Sequence, residues 1–65
     1  MNPKYQVKLG HKVIGTITEA DLLRLHLATG STIYEEDIAD HVGDSASYVV
    51  ASIDHEDQVI RLRFI

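Results

Sequence analysis

Four histidines (His11, His26, His41 and His55), ten carboxylates and no cysteine are the chemistry-bearing inventory of this 65-residue chain. A zinc site draws on closely spaced pairs of ligands, such as two imidazoles one turn apart on a helix; these histidines are scattered along the chain without such a pair. His55 sits in "DHED", which lacks the spacing, the glycine and the closing glutamate of a calcium loop. Glu35, Glu36 and Asp37 with Asp40 would make a general acid/base pair only if one carboxyl were held protonated by burial, and their polar surroundings give no cause for that. No G-x-S-x-G elbow occurs, Gly10 and Gly15 do not form a phosphate-binding loop, and so short a chain has little room for a buried pocket of about 300–1,000 Å³. The residues predict a protein that is not an enzyme and carries no resident metal or cofactor.

A chain of this length supports one domain, residues 1–65, and buries only about 60% of the surface its unfolded form exposes. Without disulfides, its stability must come from an apolar core or from self-association, so a homodimer is an open expectation. No apolar run approaches the roughly 18 residues that span a bilayer, and the lysines near the start precede no apolar segment; the expected location is the cytoplasm. Charge is unevenly spread. Residues 1–17 hold Lys4, Lys8 and Lys12 without an acid, residues 59–65 hold Arg61 and Arg63, and residues 18–58 set all ten carboxylates against Arg24. The three segments carry +3, +2 and −9, which sum to −4.

The elements that must position these groups follow from periodicity. Tyr5, Val7 and Leu9 alternate with Gln6 and Lys8, "GHK" supplies a turn, and "VIGTI" is short and β-branched, predicting a hairpin of residues 4–9 with 13–17. Thr18 is an N-cap candidate ahead of Glu19 and Asp21, Leu22, Leu25 and Ala28 form a stripe widened by Leu23 and Leu27, and Gly30 suits the end of a first helix. Thr32 and Glu35 have capping-box spacing, with Ile33, Ile38 and Val42 on one face, predicting a second helix that Gly43 stops. "YVVASI" and "VIRLRFI" read as two strands across the polar "DHEDQ". The expected fold is α+β: a small antiparallel sheet in the order β-β-α-α-β-β, packed on two short helices. Tyr5, Val7, Leu9, Ile60, Leu62 and Phe64 face inward, and Gln6, Lys8, Arg61 and Arg63 outward.

Two binding surfaces come from this arrangement. Tyr34, Glu35, Glu36, Asp37 and Asp40 would form an acidic helical face for a basic surface on a partner protein, with Tyr34 as anchor. The alternative begins from "DIADHVG". With Ala39 as the small residue of a first helix, Ile38, Val42, the turn residue Gly43 and Val49 fall where helix-turn-helix motifs place residues of those kinds. Residues 35–54 thus resemble the helix-turn-helix of lactose-repressor-type bacterial regulators. That resemblance implies a DNA-binding regulator, with Ser45, Ser47 and Tyr48 toward the duplex and the basic strand residues Lys8, Arg61 and Arg63 flanking it.

Overall fold

A computed structural model describes residues 3–42 and 47–65. Lys4–Leu9 (β1) and Lys12–Thr18 (β2) form an antiparallel hairpin whose two-residue turn begins at Gly10, with φ +65°. Glycine reaches that angle without a Cβ clash, and it occupies the first central position, where a tight hairpin turn of this hand needs it. Glu19–Arg24 (α1) follows, then Thr32–Tyr34 (β3), a single 3-10 turn at Glu35–Asp37, Ser47–Asp54 (β4) and Val59–Phe64 (β5). The strands form one curled sheet in the order β2-β1-β5-β4-β3. It is mixed: β1 and β5 run parallel, and the other neighbouring pairs are antiparallel.

This corrects the expected antiparallel sheet on two helices. The alternation in β1 and β5 marks which side chains are buried but says nothing of the neighbouring strand. A parallel pair needs only a long connection, and residues 10–58 supply it. The first helix keeps its start, with the Thr18 hydroxyl accepting from the Asp21 N–H at 3.1 Å. Its end comes well before Gly30. His26 takes φ +52° and donates its N–H to Leu23 O, while the Leu27 N–H reaches back to Leu22 O. These two bonds close a Schellman-type cap, and buried Leu22 with partly buried Leu27 supplies its apolar contact.

The second helix is absent. Ile33 is fully buried as a strand residue opposite Tyr48, and Asp37, rather than the Thr32/Glu35 pair, takes up the N–H at the start of the turn. Positive φ at Asp40 rules out helical continuation. The helix pair implied by the regulator resemblance is likewise not formed. Residues 47–54 are the longest strand, with Tyr48 and Val50 inward and both edges paired, by β3 and β5. Gly43 and Ser45 fall outside the described residues.

The core gathers Tyr5, Val7, Ile14, Ile17, Leu22, Ile33, Ile38, Tyr48, Val50, Ile60 and Leu62. A bulge between Val7 and Lys8 lets Ile14 and Ile17, three apart, both be buried. Phe64, expected inward, is 62% exposed. β1 accompanies β5 only as far as Leu62, so the end of β5 has β4 on one side and no strand on the other. Residues after the 3-10 turn cover the free edge of β2. Thr16 and Ala39 exchange backbone bonds at 2.9 and 2.8 Å, and the Val42 N–H donates to Ile14 O. Covering an edge in this way removes a template for unwanted strand pairing. Among the described residues no helix is long and apolar enough to cross a membrane.

Candidate functional site

The acidic residues singled out from the sequence stand together at the corner where β3 ends. They sit on a turn, not on a helical face, and they divide into two sets. Asp37 Oδ2 accepts the Tyr34 N–H at 3.2 Å, so this carboxylate is spent on closing the turn. Glu35 Oε2 lies 3.7 Å from His41 Nδ1. Glu36 and Asp40 are exposed, as is Tyr34 at 48%. The exposed part of the corner is therefore Tyr34, Glu36 and Asp40, with Glu35 and Asp37 turned toward the loop that carries them.

His41 lies underneath, its side chain only 9% exposed, with Nε2 3.0 Å from the hydroxyl of buried Tyr48. With Nδ1 toward the Glu35 carboxylate, the neutral imidazole that suits both neighbours carries its proton on Nδ1 and accepts from the Tyr48 hydroxyl at Nε2. A carboxylate, an imidazole and a phenol in line resemble a proton relay, but the phenol is buried and its ring is covered by Phe64, 5.7 Å away between centroids. The line fastens the turn to β4. Buried tyrosines keep a hydrogen bond for the hydroxyl, and the second one here does so in the same way, Tyr5 with His55 Nδ1 at 2.9 Å. Tyr48→Phe should leave the His41 acceptor unpaired at a nearly buried position and cost about 1–3 kcal/mol, read by urea denaturation. Wild-type stability in that variant would mean the bond does not hold the corner.

The four histidines occupy four separate places: the β1–β2 turn, the residue after the α1 cap, this corner and the β4–β5 loop. Among the described residues no three histidine, aspartate or glutamate side chains are grouped to hold a metal. In the β4–β5 loop, Asp54 Oδ1 accepts the N–H groups of Glu56 and Asp57, a loop-forming role.

Of the residues assigned to DNA, Tyr48 is buried behind the sheet and cannot reach a duplex, Ser47 lies on β4 opposite Tyr34, and Ser45 falls outside the described residues. Lys8 and Arg61 are brought side by side as register partners, and Arg63 follows on the same face. Phe64 was missed as a surface group. It lies at the Tyr34 end of the sheet, two strands across from β3 by way of Tyr48; β1 and β5 are both six residues long, and Phe64 overhangs because Val59 starts opposite Gln6, a register that the sequence does not signal. No family model matches the chain, and no curated protein or solved structure matches it either.

Proposed function

We propose that this chain is a soluble, cytoplasmic, non-enzymatic regulatory protein that docks through the β3 corner onto a basic surface of another protein. The observation that carries the reading is the exposed Tyr34 with the solvent-facing carboxylates Glu36 and Asp40 at the β3 corner, and a second exposed aromatic, Phe64, at the same end of the sheet on its opposite face. Aromatic anchors provide affinity when they fill a partner's pocket, and charges around them raise the association rate and select the partner. Pinning by Asp37 and by the Glu35–His41–Tyr48 line supports the same reading, because a preordered loop loses little entropy on docking.

The test is affinity capture with the wild-type chain, identification of the retained protein, and its titration against Tyr34→Ala, Phe64→Ser and a Glu36→Lys/Asp40→Lys double variant, each checked for folding. Removal of an aromatic anchor should weaken binding by about 30-fold, the scale of a hot-spot residue. The charge-reversed form should associate more slowly, with the difference shrinking as salt is added. Unchanged affinity in all three variants would rule out this corner as the docking surface.

A further inference from the structure

The opposite charge of the molecule is concentrated on the outer face of the sheet. Lys4, Gln6 and Lys8 of β1 alternate with buried Tyr5 and Val7, and Arg61 and Arg63 of β5 with buried Ile60 and Leu62, so these polar side chains leave the sheet on its outer side. Lys8 and Arg61 are register partners across the parallel pair. Neighbouring strands lie about 4.8 Å apart, and residues two apart along a strand about 6.6 Å, so Lys8, Arg61 and Arg63 form a short angled row of cations. Like charges placed opposite one another destabilise a sheet. Among the described residues none of Lys4, Lys8, Arg61 and Arg63 is paired with a carboxylate, whereas Arg24 is paired with Asp21. Asp54 falls on this face by register, but its Oδ1 is turned to the loop amides.

We infer that this face binds single-stranded nucleic acid, with the phosphate backbone following Lys8, Arg61 and Arg63 and a base lying on Tyr34. The outer face carries hydroxyls as well as cations: Ser52 is the register partner of Arg61, and Thr32 pairs with Val49, the partner of Arg63. Tyr34 stands one step along β3 from Thr32 on that same face, about 10 Å across two strands from the arginine row. Its ring stacks on no other ring among the described residues. A cationic track beside an exposed aromatic is the arrangement by which unpaired strands are held, because an unstacked base can lie on the ring whatever its identity. A duplex keeps its bases stacked and leaves Tyr34 unused; an acidic peptide supplies charge but no base. The net charge of −4 does not oppose this. Among the described residues the carboxylates other than Asp54 lie on α1, on and just after the 3-10 turn, and in the β4–β5 loop, and in a body 29 × 22 × 21 Å the far ones are beyond a Debye length of about 10 Å at about 0.1 M salt.

The experiment is fluorescence anisotropy of a labelled oligothymidylate of about twelve nucleotides, long enough for one small domain. With the three cations Lys8, Arg61 and Arg63 engaged, log affinity against log salt should have a slope of about −2.1, so binding falls about 20-fold between about 50 and 200 mM salt. The double variant Lys8→Gln/Arg61→Gln should bind more weakly, with a slope nearer −0.7, about 0.7 being lost per phosphate contact. Glu36→Lys should leave oligonucleotide binding intact or strengthen it while weakening docking of a basic protein surface, so the two readings, which share Tyr34, predict opposite responses to this charge. Absence of binding at low salt, an unchanged slope in the double variant, or tighter binding of a duplex or of polyglutamate would each overturn the assignment.

Discussion

Ile60→Ala is expected to remove much of the folding free energy. Ile60 is fully buried in β5, where it pairs with Val7 of β1 on one side and Ile53 of β4 on the other. Truncation leaves a cavity at the seam between the two hairpins, and neither sheet neighbour can close it without giving up its own register. Ile→Ala changes in cores cost about 2–5 kcal/mol. A domain of this size, at about 0.05–0.15 kcal/mol per residue, holds about 3–10 kcal/mol in all. Urea denaturation followed by circular dichroism should show the midpoint falling steeply, or no folded baseline at all. A loss under about 1 kcal/mol, no more than an ordinary point substitution, would mean that β5 is not the central strand.

Gly15→Ala is expected to be costly for the opposite reason, excess volume. A Cβ at Gly15 would stand 2.6 Å from the Ala39 carbonyl oxygen and collide with Ile38 Cγ2. Ile38 is buried over this glycine, and the reciprocal Thr16–Ala39 bonds bring the two backbones together. Overpacking costs about 1–3 kcal/mol where a side chain alone must move. Here the carbonyl must move too, so the upper end applies, with a melting temperature lower by about 4–8 °C for each kcal/mol. The double variant Gly15→Ala/Ile38→Ala separates the causes. Removing Cγ2 relieves the side-chain clash and leaves the carbonyl, so the two changes should be less than additive. Strict additivity would show that Gly15 and Ile38 do not meet. Opening of this contact should also expose the Thr16 and Ala39 N–H groups to hydrogen exchange, since each donates to the other residue's carbonyl oxygen across it.

Much of the sheet was readable along the chain. Tyr5 and Val7, and Ile60 and Leu62, are buried with their polar neighbours outside, as period-two alternation requires. Thr18 was legible as a helix cap because capping is a local bond. Residues 32–42 misled because Thr32/Glu35 and Ile33/Ile38/Val42 have helix-compatible spacing, while the deciding partners, Tyr48 for Ile33 and Gly15 for Ile38, are remote in sequence. At the corner, the acidic run was visible as composition. Its division into Asp37 and Glu35, which hold the turn, and Glu36 and Asp40, which face water, depends on where the Tyr34 N–H and the His41 ring lie.

By itself the sequence determined the faces of residues 4–9 and 59–64, where cations and carboxylates segregate, and where Gly10 lets the chain reverse. These are consequences of side-chain chemistry at fixed backbone period, and they need no neighbour. Only the tertiary structure decided the neighbours: the parallel β1–β5 pair that sets Lys8 beside Arg61, the Thr16–Ala39 bridge over Gly15, and the exposure of Phe64 at an overhanging strand end. Strand order and close approach are set by the best joint packing of segments far apart in the chain, and no local pattern encodes which distant surface that packing selects.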